Sequence, residues 1–298
     1  FGPLDAPVSG GDRGAREGTL TIMAGGAQQD FDFAQPVFAA MGKTIVLQGA
    51  PGTGQLCKLA NQIGIASGMI AMAEALALPG NPSSVHAEGR AARRVLEEAR
   101  EVIATRFGAR GRDLVFTSGG TEANALAIRG LAAGRRVLLG ATEHPAVLAA
   151  AGPDADVIPV LGDGTLDLAA LEAALVSGGP ALVAVMAANN ETGVLQPLDE
   201  LGELVREKGG ILLADCAQTA IKIDLPDADL IAISAHKIGG PPGIGALLVR
   251  NLSLISPSGG QEKGYRGGTE NLPSAIGFAT AAEAGRGWMA RAADLRQH

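Results

Sequence analysis

From about Arg112 onward the chain alternates two textures: short runs that are apolar almost throughout, and longer stretches whose apolar residues recur every three or four positions. The runs are "DLVFT" (113–117), "RRVLLGAT" (135–142), "ADVIPVL" (155–161), "ALVAVMAA" (181–188), "GILLAD" (210–215), "DLIAIS" (229–234) and "GALLVR" (245–250). Between several of them lie helix-like segments such as "TEANALAIRGLAA" and "PLDELGELVREKGG". Strands without polar alternation are covered on both faces, and strands separated by helices tend to pair in parallel. The pattern therefore predicts an α/β fold, a mainly parallel sheet between helical layers. Ligands in such folds bind beyond the carboxyl ends of the strands. Ahead of the sheet, "HAEGRAARRVLEEAREVIATRFG" predicts one amphipathic helix ending near Gly108, with Ser83 or Ser84 as its cap.

The first 78 residues are patterned differently. "GTLTIMAGG" and "KTIVLQG" predict two short strands, and "GQLCKLANQIGIASGMIAMAEALAL" predicts a long, Ala-rich, almost wholly buried helix. "LPGNPSS", around Pro79 and Gly80, is the strongest breaker here and divides the chain into residues 1–79 and 80–298.

Composition narrows the function classes. With 298 residues and 47% hydrophobic content, the chain can bury the core of one large α/β domain or two smaller ones. The longest apolar window, Ile63 to Leu78, is too short for a bilayer and contains Glu74, so a core helix and no membrane segment are expected. A net charge of -7 with scattered basic residues argues against a nucleic-acid surface. Arg90, Arg93, Arg94 and Arg100 cluster on one helix and read as a solvated face. Two cysteines, Cys57 and Cys216, each inside an apolar element, make neither a disulfide framework nor a metal set. No basic-then-apolar leader is visible, which makes the cytoplasm the expected location, and Phe1 in place of methionine leaves the natural start open.

"GAPGTGQ" (49–55) invites a nucleotide-binding reading that its details refuse. A phosphate-gripping Walker loop needs Lys then Ser or Thr after the last glycine, whereas Gln55 and Leu56 follow Gly54, and Cys57 stands where a dinucleotide loop needs its third glycine. "TSGGTEANALAIRG" (117–130) is more informative. Its two glycines free the backbone to approach a ligand, and Thr121 opens a helix whose amides can face an anion, although an ordinary β-to-α turn with a threonine cap has the same pattern. "LLADCAQ" (212–218) ends a buried strand with Asp215 and Gln218, and a carboxylate buried there needs a cation. Lys237 is one candidate, and a protonated pyridine nitrogen is the other. In "EHPAV", His144 is either a surface loop residue or a ring laid flat on an aromatic ligand. In "AANNETG", Asn189 and Asn190 are turn formers or donors to a ligand oxygen. Five sheet elements thus deliver polar residues to one edge. Phosphate donors, a stacking histidine, an aspartate for a ring nitrogen, a glutamine for a phenolic oxygen and a lysine for an aldehyde describe a pyridoxal 5'-phosphate site. Lys237, in "SAHKIGG", would form the Schiff base, Ser234 and His236 would hold phosphate, and the Gly239–Gly240 turn would leave room for the cofactor.

Residues from about Gly80 to about Ala282 resemble the cysteine desulfurases of the class V aminotransferase family. The resemblance rests on "GNPSSVHAEGRAARRVLEEAR", "FTSGGTEANALAI", "ATEHPAV", "NNETGVLQP", "DCAQTA", "SAHKIGGPPGIGALLVR" and "GGQEKGYRGGTEN", in that order. It implies a pyridoxal phosphate fold-type I large domain with Lys237 bonded to the cofactor, Asp215 on the pyridine nitrogen, Gln218 on the ring oxygen and His144 stacked on the ring. It also implies Thr121, Ser234 and His236 on the phosphate, Asn190 helping to position cofactor and substrate, and Thr269 reaching the phosphate of the other subunit of a homodimer. The implied substrate is L-cysteine, with a sulfur-acceptor protein as partner in iron–sulfur cluster assembly. Two departures stand out. The strand motif that opens such enzymes is not found before "GNPSS", and the small domain bearing the nucleophilic cysteine and a carboxylate-binding arginine is not found before His298. Impaired sulfur transfer is therefore expected, with Cys216 no substitute nucleophile.

Residues 1 to about 78 instead resemble a middle stretch of the β-hydroxyacid dehydrogenases, such as 3-hydroxyisobutyrate dehydrogenase, through "DAPVSGGDRGAREGTLTIMAGG", "MGKTIVLQGAPGTGQLCKLANQ" and "AEALAL". That resemblance implies substrate contacts from Ser9, Gly10 and Gly11, a general acid at Lys58 and a substrate ligand at Asn61. The preceding Rossmann domain is not found, so no nicotinamide site is expected and Lys58 is expected to be an ordinary helix lysine. The chain reads as two incomplete enzymes joined near Pro79, as in a fusion or chimera. A dehydrogenase remnant, or a non-catalytic subunit that pairs with a complete desulfurase, remain the alternatives.

Overall fold

In the computed structural model, residues 2–59, 61–62, 80–131, 134–287 and 289 are described. The contacts divide the chain into two compact units, Phe1–Ala66 with Ala290–His298, and Ser67–Met289. The boundary expected near Pro79 and most of the long helix expected up to residue 78 lie outside the described residues, although residues 53–59 are helical.

In the smaller unit three strands form one sheet, β1 (Val8–Ser9), β2 (Leu20–Gly25) and β3 (Gly42–Gly49), with β2 antiparallel to β1 and parallel to β3. The sequence pattern finds β2 and β3 but not the helix Gln28–Met41 between them, which carries Pro36 in its interior. Tertiary burial decides the matter. Phe31 and Phe38, on one helix face, pack with ring centroids 6.1 Å apart and join Leu20, Ile22 and Ala24 in the core. The "GAPGTGQ" amides serve this unit's own chain, since Gly52 N and Gln55 N donate to the Asp5 carboxylate at 2.6 and 2.7 Å.

The larger unit carries the predicted sheet. Its strands are β4 (Leu114–Thr117), β5 (Arg136–Gly140), β6 (Asp156–Ile158), β7 (Ala181–Met186), β8 (Ile211–Asp215), β9 (Leu230–Ser234) and β10 (Gly245–Val249). They stand in the order β4-β10-β9-β8-β7-β5-β6. Only β10 runs against its neighbours, so the carboxyl ends of β4, β5, β7, β8 and β9 share one edge. The all-buried strand sequences require cover on both faces, and two core clusters supply it. Helices Ala87–Arg106, Leu168–Val176, Leu198–Glu207 and Leu272–Ala284 pack on one face, Gly120–Leu131 and Pro145–Ala151 on the other. In Leu198–Glu207 the buried Leu198, Leu201 and Val205 recur at helical spacing. Burying a side chain such as Leu201 contributes roughly 1.5–3 kcal/mol.

Two local expectations need correction. The helix Ala87–Arg106 is capped by His86, whose Nδ1 accepts the Gly89 amide at 3.2 Å. The expected caps are engaged in the turn before it, where Asn81 accepts the amides of Ser83 and Ser84. On the same helix Arg100 does not belong to a solvated arginine face: it is 2% exposed and paired with Glu262. No helix among the described residues is long and apolar enough to cross a membrane.

Candidate functional site

At the shared edge β8 ends on Asp215 and β9 on Ser234, while the segments after β5 and β7 reach His144 and Asn190 four residues beyond the strand ends. A cavity of about 240 Å³ opens there. Its lining includes Thr121, His144, Asn190, Asp215, Gln218, Ser234, His236 and Lys237, so these expected site residues come together. Thr269 does not line it; it is exposed on the loop that follows Gly268.

Asp215 ends β8 with its carboxylate turned to the cavity. The cation expected for it is not Lys237. Its Oδ1 accepts the Ala217 amide at 2.9 Å, and its Oδ2 accepts Asn124 Nδ2 at 2.6 Å. Burial pushes this carboxyl above the usual range, and the Ala217 and Asn124 bonds pull against the rise. Asn124 is 1% exposed, lines the cavity, and has its Oδ1 buried with no hydrogen-bond partner. Sequence reasoning missed it. The available signal was an amide in the apolar frame of "TEANALAI", where a buried asparagine needs a partner.

His144 caps the helix Pro145–Ala151, its Nδ1 accepting the Ala146 amide at 3.1 Å. That bond orients the ring and, in the neutral form, leaves the proton on Nε2. Glu143, immediately before it, is buried and was also missed, although an acidic residue directly after an apolar strand was a visible signal. Asn189 forms the turn, accepting the amides of Glu191 and Thr192. Asn190 is exposed, with its Nδ2 on Glu191 Oε1 at 2.6 Å.

Ser234 ends β9, and its hydroxyl lies 2.8 Å from His236 Nδ1. Burial lowers the His236 pKa, and neighbouring Lys237 lowers it further, so this imidazole favours its neutral form. Lys237 is exposed on the short 3-10 turn Ala235–Ile238, which Gly239 closes in a left-handed conformation. Across the edge, helix Gly120–Leu131 starts at Gly120, so Thr121 lies in its first turn and is not its cap. A Cβ on Gly245 would stand 2.6 Å from Ile233 O and 2.7 Å from Gly119 Cα, so β10 approaches this turn only as glycine.

The donor set fits pyridoxal phosphate. A desolvated carboxyl supplied only with neutral amides among the described residues suits a protonated ring nitrogen, and Asn124, whose Nδ2 orients that carboxyl, also lines the cavity. A helix N-terminus and the Ser234–His236 pair offer donors for a phosphate. Among the described residues no group of His, Cys, Asp and Glu could hold a metal. Cys216 lies directly after Asp215, fully buried, and burial raises its thiol to about 12. In the smaller unit Ser9 ends β1, Gly10 and Gly11 lead into the helix Gly11–Glu17, Lys58 is half-buried in the helical stretch, and Asn61 is exposed.

The chain matches the family described as Aminotransferase class-V over residues 70–296, and the NAD binding domain of 6-phosphogluconate dehydrogenase over residues 1–49. A cysteine desulfurase of Cereibacter sphaeroides is 41% identical over 223 residues, 68% of this chain and 57% of that protein. Cysteine desulfurase IscS 1 of Archaeoglobus fulgidus is 40% identical over 236 residues, 73% of this chain and 62% of that protein. The chain thus spans little more than half the length of these relatives. Among solved structures, the NifS-like protein from Rickettsia africae superposes with a TM-score of 0.68 at 33% identity, covering 74% of this chain and 64% of that one. SspA in complex with cysteine gives a TM-score of 0.66 at 33% identity, covering 74% and 69%.

Proposed function

The chain belongs to the class V aminotransferase family, and from that premise we propose that its larger unit binds pyridoxal 5'-phosphate and acts on L-cysteine as a cysteine desulfurase. The observation that carries the reading is Asp215, a desolvated carboxyl with amide donors and, among the described residues, no ion pair, lining one cavity with Lys237. In the reaction the Cβ–S bond of cysteine breaks, sulfur passes to an acceptor thiol as a persulfide, and alanine is released.

Bound pyridoxal phosphate supplies an electron sink for the bonds at the amino acid's Cα and Cβ. The chain's residues bind and orient. Thr121, Ser234 and His236 offer donors to the phosphate, and neutral His236 keeps its second nitrogen available there. Asp215 would hold the proton of the ring nitrogen, Gln218 would donate to the ring oxygen, and His144 would stack on the ring. Lys237 would provide the amine that holds the cofactor's aldehyde, and the same amine would be placed to carry a proton at the substrate's Cα. Asn190 helps orient cofactor and substrate, and Thr269 serves the site of a second subunit in a homodimer. Cys216 is excluded as the sulfur-accepting group, because attack requires an accessible thiolate and this thiol is buried and protonated. The acceptor is thus a thiol elsewhere, in keeping with a sulfur-acceptor protein of iron–sulfur cluster assembly. The location in this reading is the cytoplasm, which the free thiols of Cys57 and Cys216 support.

A second reading concerns residues 1–49, whose match to a dehydrogenase NAD-binding domain favours a remnant of a nicotinamide enzyme. Borohydride reduction of the protein incubated with pyridoxal phosphate tests the main reading. A covalent label on Lys237, found by peptide mapping, is expected. A label on Lys58 alone, or none, overturns it, and nicotinamide-dependent oxidation of a 3-hydroxy acid would favour the second.

A further inference from the structure

Glu143 follows β5 and precedes His144, and the roles above leave it unused. It is 6% exposed. Its Oε1 accepts the Met186 amide at 2.9 Å, and its Oε2 is buried with no partner. Met186 lines the cavity and stands opposite Asp215 in the β7–β8 register. The next residue, Ala187, donates its amide to the Asp215 carbonyl at 2.8 Å. The Glu143 side chain therefore ties the turn that carries His144 to the strand beside Asp215. The fold makes room for it at Gly140, where a Cβ would lie 2.7 Å from Glu143 Oε1.

Charge adds a second constraint. Every donor to Glu143 or Asp215 is an uncharged amide. The titratable group acting on Glu143 is Asp215, and Asp215 in turn feels His144. Two neighbouring carboxyls without a cation in a desolvated setting do not both ionise readily. Asp215 has two amide donors to stabilise its anion, and Glu143 has one. We propose that Glu143 is a positioning residue that stays protonated behind the cavity, holding the His144 turn in place and leaving Asp215 as the single anion of the floor. The titration direction agrees: burial raises the Glu143 carboxyl most, the Met186 amide opposes it, Asp215 adds to the rise, and the result is about 8.

The use made of the Asp215 charge rests on the pyridoxal phosphate reading; the location of the proton does not. Infrared difference titration of the cofactor-free protein with isotope-labelled glutamate reads the proton directly. A protonated glutamate band is expected at neutral pH, lost as pH rises through about 8, and absent in Glu143→Gln. In Asp215→Asn the band should be lost at lower pH, because the repelling charge is gone. A protonated-carboxyl band that lacks the glutamate isotope shift, disappears in Asp215→Asn and survives in Glu143→Gln places the proton on aspartate and overturns the proposal. In pyridoxal phosphate titrations Glu143→Gln should bind within about twofold of wild type and Glu143→Ala about tenfold more weakly, equal to ~1.4 kcal/mol. Equal weakening in both variants also overturns it. A wild type that binds no pyridoxal phosphate sinks the cofactor reading and leaves the infrared result to decide this one.

Discussion

Arg100 and Glu262 meet in a two-pronged ion pair, Nη1 to Oε2 at 2.6 Å and Nη2 to Oε1 at 2.7 Å, across a sequence separation of 162 residues. Their side chains are 3% and 0% exposed. Phe116 N donates to the same glutamate at 2.8 Å, and the guanidinium lies 4.6 Å over the Phe116 ring. Next to the pair, Lys263 donates to the carbonyls of Gly111, Arg112 and Leu114. Glu262 and Lys263 both hold positive φ, 47° and 60°, which non-glycine residues keep only where surrounding contacts enforce it. The pair therefore anchors helix, strand and the loop leading to Thr269 at one buried point.

Removing one partner strands a buried charge. Arg100→Ala is expected to destabilise the larger unit by about 3–5 kcal/mol, whereas Arg100→Met combined with Glu262→Leu should cost far less. Urea unfolding of the two variants checks this, and equal losses would show that packing, and not charge pairing, dominates.

Asn124 is the partner that orients Asp215. Asn124→Ala deletes the 2.6 Å bond and leaves Asp215 Oδ2 without its donor, a loss of about 1–3 kcal/mol. With that bond gone the Asp215 carboxyl rises further, so less of it is ionised to meet a ring nitrogen. An absorbance titration is expected to show pyridoxal phosphate binding roughly tenfold weaker or worse; unchanged affinity would remove Asn124 from the site.

Glu143 gives the larger unit a pH-dependent stability of predictable sign. Burial pushes its folded carboxyl up to about 8, well above the ordinary glutamate value of about 4.3. Between those values the folded state binds more protons than the unfolded one, so stability falls as pH rises and levels off above the folded value. Glu143→Gln should flatten this slope. It is expected to match wild type below the lower value and exceed it by a few kcal/mol above the upper one, measured by denaturant unfolding at both ends. A wild-type slope retained in the variant would assign it to another group.

Cys216 should behave as an inert core thiol. With its thiol raised to about 12 and no exposed surface, it is expected to react with a disulfide reagent only after unfolding, while half-buried Cys57 reacts in the folded protein. If the protein releases alanine from cysteine, Cys216→Ser should leave that rate unchanged. Rapid labelling of Cys216 in the native state would contradict its placement.

What the sequence by itself determined is local. Each strand of the large sheet appears where a short apolar run stops at a polar residue, because a strand buried on both faces cannot hold polar side chains until it leaves the core. The edge residues Asp215, Ser234 and His144 were legible for the same reason, and so was Lys237, one turn beyond a strand end. Local pattern also argued against a phosphate loop at Gly52 and Gly54, because Gln55 stands where such a loop needs its lysine.

Tertiary structure decided which distant groups satisfy one another. Asn124 meets Asp215 across 91 residues, Glu143 meets Met186 across 43, and Arg100 meets Glu262 across 162. Helical periodicity marks a face but not what stands opposite it, so Arg100 read as solvated with its neighbours until β4 and the 262 loop closed over it. The helix Gln28–Met41, unmarked by the sequence pattern and with Pro36 inside it, is held by Phe31 and Phe38 through their core contacts. The cause is common to the three polar pairings. Burial turns an unpaired polar group from a minor cost into a large one, and only the folded chain settles which groups are buried together.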